Sequence, residues 1–414
     1  MTWWPETAAD INIPRANEYK YVTEVLDYGW HNTSSPGFNM RLEQAFAKKF
    51  GVNYAITHNS GTGTMHSCLM AAGVGPGDEV IIPPLTAAAT ALVVIYQNAV
   101  PVFADIDPHT FNIDPESIRE RITPYTKAII PVALYGQSPD MDAIMAIAEE
   151  HNLVVIEDCA EAFLAQYKGK LAGTIGHMGS FSFQGSKHMT CGDGGIVITD
   201  DPDYSRKVRY GMCFGFSTLE AESAATTAPP REVRQDPGFA RHLTLGWNYR
   251  LPELCAAAAL GQLERLDDLV SWRQAVAAGY AEVIGDCDWL RPQEVPEGYV
   301  NSYWCYTVLI DTDEITWHQF RDRYVEFGGD PIYGAWRPIY LEPVFTEERF
   351  YGRGCPNHCP LYKGTPQKYG KGLCPVTERI QPRLLQFRTN WDQQRAQQQF
   401  EALGKTIAYF EGNS

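Results

Sequence analysis

The sequence predicts an α/β protein whose mostly parallel central sheet is flanked by helices, with a smaller α+β domain at the C-terminus. Short apolar runs alternate with helical patterns from about residue 40, which is typical of parallel strands buried on both faces. Two further strand-like runs, 181–183 and 195–199, lie close in sequence and indicate an antiparallel part. Aromatic and proline residues become more frequent from about residue 288. We therefore predict a large domain over 1–265, which includes an N-terminal arm, and a small domain over 266–414.

The elements of the large domain follow from residue spacing. Leu42, Phe46 and Phe50 recur at helical spacing and Gly51 follows them, so we predict a helix that ends at a glycine. The same reasoning predicts helices at about 63–72, 86–97 and 141–148, strands at 54–57, 79–82, 100–104, 128–132 and 153–156, and two helices that meet near 262–269. The glycines of 73–77 follow a helix and precede a strand, which is the reverse of a dinucleotide-binding loop, so we interpret them as a helix stop.

Charge and hydropathy exclude several partners. Lys and Arg total 34 against 50 for Asp and Glu, a formal net charge of −16, which argues against nucleic acid or an anionic membrane as the main partner. No apolar run approaches the about 18 residues of a membrane span, and the start lacks a signal-like pattern. We expect a cytoplasmic protein. Ala221–Pro230 has no clear period and is predicted to be a mobile loop or an insertion.

The ten cysteines suggest reduced thiols rather than a disulfide framework. One cluster is different, because a zinc site could be drawn from four of its side chains, which are Cys355, His358, Cys359 and Cys374. Its spacing fits no standard zinc module, however, and it lies in a Gly-, Pro- and Tyr-rich stretch. We favour a packed structural loop and predict no metal.

Lys187 and Asp158 carry the functional prediction. Asp158 follows the apolar run 153–156, and Lys187 lies between the run Phe181-Ser182-Phe183 and a glycine turn. A lysine amine can form a Schiff base with the aldehyde of pyridoxal phosphate, and a carboxylate can keep its pyridine nitrogen protonated. Asp158 occupies a strand end, where open α/β sheets bind their ligands. Alone, it could equally be a helix cap or part of a salt bridge.

One turn and two single residues have two interpretations each. Ser60-Gly61-Thr62 lies between a strand and a helix, so it could bind a phosphate or form a simple helix cap. Ser182 could donate to the same phosphate or merely pack between its aromatic neighbours. Glu161 could lie beside the cofactor or cap the segment that follows. The joint order of phosphate turn, strand-end Asp, Ser-bearing strand, Lys and glycine turn favours the cofactor reading for the set.

With these motifs the chain resembles the DegT/DnrJ/StrS sugar aminotransferase family, within the fold-type I (aspartate aminotransferase-like) pyridoxal phosphate enzymes. The resemblance extends from about residue 28 to about residue 378. The segments that carry it are Ser60-Gly61-Thr62, 75–79, 157–160, the run 181–195, 246–250 and 374–378.

The resemblance implies a role for each motif residue. Lys187 would bind the cofactor aldehyde and Asp158 the pyridine nitrogen. The phosphate would be held by Gly61, Thr62 and Ser182. Asn248 would reach the phosphate of the neighbouring subunit, which implies a homodimer with shared active sites. The implied reaction moves an amino group from glutamate or glutamine to a keto-sugar in amino-sugar biosynthesis for polysaccharides such as lipopolysaccharide.

Some positions depart from the family pattern. Ala87 stands where an aromatic residue usually stacks on the cofactor ring, and Glu161 stands where Gln or His is usual. A dehydratase branch of the family has a histidine in place of the lysine. Because Lys187 is present and His188 only follows it, transamination is favoured over dehydration. A cofactor-binding sensor without turnover is the remaining alternative.

The acceptor is predicted only by class. The stretch 334–340, which contains Trp336 and Arg337, is similar to a branch that aminates unusual acceptors, such as the acidic sugar made into 8-amino-3,8-dideoxy-octulosonate. A nucleotide-linked keto-sugar is the other candidate. Trp336, Arg250 and Arg337 are the predicted substrate-binding residues, since a guanidinium can bind a carboxylate through two hydrogen bonds. Each arginine could equally form a structural ion pair.

Overall fold

The structure, a computed structural model, describes residues 17–28, 37–222 and 231–412. The first sixteen residues of the predicted N-terminal arm and most of the predicted loop Ala221–Pro230 therefore lie outside the described residues.

The described chain contains the following strands and helices. The strands are β1 (Tyr54–His58), β2 (Glu79–Ile82), β3 (Val100–Phe103), β4 (Thr126–Ile129), β5 (Val154–Asp158), β6 (Gln166–Tyr167), β7 (Lys170–Leu171), β8 (Met178–Ser182), β9 (Gly195–Thr199), β10 (Leu290–Pro292), β11 (Tyr299–Val300), β12 (Cys305–Ile310), β13 (Tyr333–Gly334) and β14 (Leu384–Arg388). The helices are α1 (Asn17–Tyr28), α2 (Phe38–Phe50), α3 (Gly61–Ala71), α4 (Ala88–Tyr96), α5 (Pro115–Arg121), α6 (Met141–His151), α7 (Pro202–Met212), α8 (Arg231–Gln235), α9 (Glu253–Leu263), α10 (Leu266–Ile284), α11 (Trp317–Glu326), α12 (Pro343–Thr346), α13 (Pro375–Ile380) and α14 (Gln393–Phe410).

A seven-stranded sheet forms the centre of the large domain, in the order β1-β9-β8-β5-β4-β2-β3. Strands β3, β2, β4, β5 and β8 pair in parallel, while β9 is antiparallel to both β8 and β1. The predicted fold class, with its local antiparallel part, is confirmed.

Both faces of this sheet are buried, as the continuous apolar runs predict. Along β2, Val80 and Ile82 pack into one core cluster while Ile81 packs into another on the opposite face. Neighbouring side chains in β5 divide in the same way, with Ile156 in the first cluster and Val155 in the second. Successive side chains of a strand point to opposite faces, so a run without alternation fits only a sheet covered on both sides.

Helix α2 shows how local sequence fixes an element. Leu42 and Phe46 are fully buried along its inner face, and Phe46 stacks on Phe50 with ring centroids 4.3 Å apart. The helix ends at Gly51, whose φ of 70° is left-handed; such a conformation favours glycine because it has no Cβ. The predicted helix and its glycine stop are confirmed.

The C-terminal part contains a second sheet, in the order β10-β12-β14-β13, whose described pairs are all antiparallel. Helix α10 connects the two parts: Leu266 and Leu269 pack in a core cluster of the large sheet, and Val276 and Tyr280 pack against the second sheet. The segment 339–374 then returns to the first sheet, where residues such as Tyr340 join its core cluster. The predicted boundary after residue 265 thus falls between α9 and α10.

Candidate active site

Asp158 is the last residue of β5 and is only 4% exposed. One carboxylate oxygen accepts a hydrogen bond from the Thr90 hydroxyl at 2.9 Å, and the other accepts from the Ala160 amide at 3.2 Å. Burial raises the pKa of Asp158, while these two donors and the positive charge of Lys187 oppose the rise. The side chain is therefore a desolvated acid that forms no ion pair with the described residues, which suits it to face a protonated ring nitrogen.

Lys187 lies five residues beyond the end of β8, and its side chain is 11% exposed. Its amine, Nζ, lies 3.2 Å from Oε1 of Glu161 and 4.7 Å from the centre of the Trp304 ring. The buried guanidinium of Arg273 donates to the Lys187 carbonyl at 3.0 Å and to the Trp304 carbonyl at 2.9 Å. Arg273 thereby fixes the distance between the turn that carries Lys187 and the backbone of Trp304.

Glu161 is a second buried acid in this cleft, at 6% exposure. Its Oε2 accepts a hydrogen bond from the Tyr135 amide at 3.1 Å, while Oε1 faces Lys187. Glu161 thus lies beside Lys187, and neither of its oxygens accepts a hydrogen bond from the described segment that follows it; its position beside the cofactor stays a prediction.

The turn Ser60-Gly61-Thr62 forms the predicted helix cap, and the phosphate site predicted there stays a prediction. The Ser60 hydroxyl caps α3 by accepting from the Gly63 amide at 3.0 Å. The first amides of a helix have no acceptor within the helix, so those of Gly61 and Thr62 are available to an anion. A Cβ built on Gly61 would lie 2.7 Å from Cβ of Ser182. Only glycine therefore allows the Ser182 hydroxyl to approach this helix end, where phosphate binding is favoured.

These groups fit pyridoxal phosphate. The N-terminus of α3 and the Ser182 hydroxyl offer donors for a phosphate, Lys187 offers an amine, and Asp158 offers a buried acid. The close approach of Gly61 to Ser182 is the observation that tests this fit, since it brings the serine hydroxyl to the first amides of α3, where a phosphate is favoured.

The remaining predicted residues lie farther out. Asn248 is exposed, and its carbonyl oxygen lies 3.5 Å from the Asn59 side-chain nitrogen, beside the phosphate turn. Arg250 is exposed and donates to the Asn248 side chain at 3.0 Å. Ala87 precedes α4 and is partly exposed.

Trp336 and Arg337 lie at the edge of the cleft. Trp336 is 53% exposed and lines the same pocket as Glu161 and Trp304. Arg337 is exposed and, like Arg250, makes no ion pair within the described ranges. The structural ion pair considered for both arginines is thus not formed by the residues that the structure describes.

Sequence reasoning missed four contacts of this site. Thr90 lies one helical turn after Thr86, whose hydroxyl bonds to it at 2.9 Å, so a polar stripe on the predicted helix was the available signal. No comparable sequence pattern marks Tyr135, Arg273 or Trp304, because the fold brings each of them to the site from a distant part of the chain.

The cysteine loop does not join the cleft. Cys374 is fully buried near the Phe103 carbonyl, whereas Cys359 packs with Val100 and Tyr362. In the described part of the chain no group of three or more His, Cys, Asp and Glu side chains is arranged to hold a metal ion. No described helix is long and apolar enough to cross a membrane.

Comparison with known proteins gives a consistent family. The profile of the DegT/DnrJ/EryC1/StrS aminotransferase family matches residues 12–365. GDP-perosamine synthase of Caulobacter vibrioides is 41% identical over 298 residues, which cover 71% of this chain and 74% of that protein. GDP-perosamine synthase of Escherichia coli O157:H7 is 35% identical over 335 residues, 80% of this chain and 85% of that protein.

Solved structures agree with this assignment. An aminotransferase from Psychrobacter cryohalolentis superimposes with a TM-score of 0.81 at 30% identity and covers 95% of this chain and 97% of its own. S. venezuelae DesV, solved in complex with a ketimine intermediate, superimposes with a TM-score of 0.78 at 26% identity, covering 94% of each chain. The predicted fold-type I architecture is confirmed.

Proposed function

We propose that this chain, which belongs to the DegT/DnrJ/EryC1/StrS aminotransferase family, transfers an amino group from glutamate or glutamine to a keto-sugar carried on a nucleoside diphosphate. As a member of that family it is a pyridoxal phosphate-dependent aminotransferase of amino-sugar biosynthesis. Lys187 is proposed as its reactive amine and Asp158 as the acid that faces the cofactor nitrogen.

One observation carries this proposal. Lys187 and Asp158 are both largely buried, and the positive charge of Lys187 lowers the pKa of Asp158, so the amine and the acid lie within electrostatic reach of one another. A sensor needs to hold the cofactor, but it does not need a free amine beside the bound ring.

Each residue then has a definite task. Pyridoxal phosphate, when bound, supplies a ring that withdraws electrons from the substrate carbon. Asp158 keeps the ring nitrogen protonated, because its buried carboxylate is stabilised by a cation there. Gly61, Thr62 and Ser182 bind the phosphate and set the position of the ring. Lys187 accepts the proton from the donor carbon as general base and, in the second half of the reaction, delivers a proton to the acceptor carbon as general acid.

Asn248 and the homodimer belong to the same proposal. Asn248 is exposed next to the phosphate turn, so a second copy of the chain could receive its side chain. We propose that two chains associate and that each completes the phosphate site of the other. An Asn248→Ala variant should bind the cofactor more weakly, and light scattering should give twice the mass of one chain.

The acceptor class is supported by the relatives. Two of them are named GDP-perosamine synthase, a name that contains a nucleotide-linked amino sugar. The acidic octulosonate acceptor is a second candidate, favoured by the exposed Arg337 beside Trp336, because Arg337 has no ion-pair partner in the described chain and can bind a carboxylate.

A screen of acceptors tests the proposal. The enzyme is first converted to its aminated form with glutamate, and keto-sugars with and without a nucleoside diphosphate are then added while the visible cofactor absorbance is followed. We expect recovery only with the nucleotide-linked sugars, and mass spectrometry should detect an amino-sugar. Recovery only with an acidic sugar would move the assignment to the second candidate. A deoxygenated product would indicate a dehydratase, and absence of any spectral change with glutamate or glutamine would indicate a sensor.

A further inference from the structure

Lys187 and Glu161 form an ion pair that the proposed reaction does not yet use. Their side chains are 11% and 7% exposed, and the nitrogen–oxygen distance is 3.2 Å. Among the described residues, Glu161 is the one acceptor for the Lys187 amine. The face of the Trp304 ring covers the same amine at 4.7 Å, where a positive charge is favoured.

The carboxylate of Glu161 is held in place from the other side. Its second oxygen accepts from the Tyr135 amide at 3.1 Å. Tyr135 adopts a left-handed φ of 61°, an uncommon conformation for a residue other than glycine, and its hydroxyl accepts from the Gln386 side chain at 2.8 Å. The local backbone is therefore shaped so that this amide points at Glu161, and the carboxylate cannot swing away from the lysine without losing that bond.

The other titratable groups around Lys187 do not replace Glu161. Asp158 has both oxygens engaged with Thr90 and Ala160. Burial lowers the pKa of His188 well below its usual value and raises the pKa of Cys305, so both are neutral. Arg273 is a cation, and its hydrogen bonds to the turn that carries Lys187 go to the backbone carbonyls of residues 186 and 187. Glu161 is thus the anion placed to pair with a charged Lys187.

We propose that Glu161 is a positioning residue that holds the free amine of Lys187 in the cleft and stabilises the ammonium group formed when this amine takes a proton from the substrate. This inference rests on the proposed function. In that step a carbon–hydrogen bond of the donor breaks, a nitrogen–hydrogen bond forms at Nζ, and the electron pair stays on the carbon. The proton count balances and no oxidant is needed. The positive charge that develops on Nζ then lies beside the fixed carboxylate of Glu161, which offsets it.

The test is Glu161→Gln, which keeps the shape of the side chain and the acceptor for the Tyr135 amide but removes the charge. The first measurement needs no sugar: the cofactor-free protein is mixed with pyridoxal phosphate at a series of pH values, and the rate of capture by Lys187 is followed in the visible spectrum. Without the carboxylate the ammonium is less stable, so the midpoint of the rate profile should move to lower pH by about one to three units. With α-deuterated glutamate, the variant should also show a larger isotope effect, since proton transfer becomes slower.

A matched control is Asp142→Asn. Asp142 pairs with Lys168 at 2.6 Å on the exposed surface, so its loss should leave the capture midpoint unchanged. If Glu161→Gln does not fold, Glu161→Asp retains the charge at a greater distance and should give a smaller shift in the same direction. An unchanged midpoint and isotope effect in a folded Glu161 variant would overturn the inference. Failure of the unmodified protein to capture pyridoxal phosphate would instead overturn the proposed function.

Discussion

Two buried ion pairs in this protein have the same nitrogen–oxygen distance but differ in their additional hydrogen bonds. Arg209 and Glu43 lie 3.2 Å apart with side chains 4% and 7% exposed, and Lys187 and Glu161 lie 3.2 Å apart with side chains 11% and 7% exposed. Arg209 also donates to the carbonyls of Ala221 and Ala55, and Glu43 also accepts from the amide and hydroxyl of Thr57. Lys187, by contrast, has a single acceptor among the described residues.

The difference fits a structural role for the Arg209–Glu43 pair and the reactive role proposed for the Lys187–Glu161 pair. A side chain bonded on several sides cannot leave without exposing unsatisfied polar groups, which stabilises one conformation. An amine with one partner can exchange it for a substrate or a cofactor. The two pairs are alike in burial and in nitrogen–oxygen distance. They differ in the number and kind of additional hydrogen-bond partners.

The largest expected effect comes from Lys187→Ala. Amino transfer should fall by about 10⁴-fold or more, because both the covalent attachment and the general base are lost. The free energy of unfolding should also fall, because the buried carboxylate of Glu161 loses its cationic partner, so activity is expressed per folded molecule. Steady-state amino transfer and thermal unfolding measure the two effects. Full activity in the Lys187→Ala variant would show that the Lys187–Glu161 pair is not required for amino transfer.

Arg209→Met tests the structural pair. Removing one member of a buried ion pair leaves an uncompensated charge, here on Glu43, and is expected to lower the free energy of unfolding by about 3–5 kcal/mol. Urea titration measures the loss, and activity per folded molecule should not change. A loss of activity larger than the loss of folded protein would contradict a purely structural role.

The Asp158→Asn variant tests whether the buried acid serves function rather than stability. Burial raises the pKa of Asp158 above its ordinary 3.8, so the folded cofactor-free protein binds this proton more tightly than the unfolded chain. Its contribution to stability is therefore greatest at low pH and declines as the pH rises from about 3.8 through the raised value.

The neutral amide avoids that decline, and the Thr90 hydroxyl can reverse to accept from it. We expect the cofactor-free variant to be more stable than the unmodified protein at pH 7, with a difference that shrinks toward pH 4, while its amino transfer falls sharply. Unfolding curves at both pH values provide the check, and lower stability of the variant at pH 7 would contradict the assigned cause.

The smallest effect is expected from Thr90→Val. This variant keeps the shape of the side chain but removes one donor to Asp158, which should lower the free energy of unfolding by about 1 kcal/mol and weaken cofactor binding slightly. Equilibrium binding of pyridoxal phosphate and urea unfolding would detect both changes. An unchanged affinity would mean that Thr90 does not orient the carboxylate.

Much of the fold could be predicted from local patterns. The runs around Ile81 and Val155 are apolar without alternation, and such runs are strands of a doubly covered sheet. The packing of Tyr340 in the core of the large sheet could not be predicted, because the sequence around it does not indicate which surface it covers. The domain boundary and the roles of the individual site residues stay predictions.

The amino-acid sequence by itself determined which chemical groups are present: a lysine, a strand-end aspartate and a Ser-Gly-Thr turn before a helix are specified by residue type, order and local spacing. Only the tertiary structure decided the partners of the lysine. Trp304 lies 4.7 Å from the amine although it is far away in sequence, and Tyr135 aims its amide at Glu161 through a left-handed backbone. Local spacing governs helices, strands and turns, whereas the electrostatic environment of a charge depends on which distant segments pack around it.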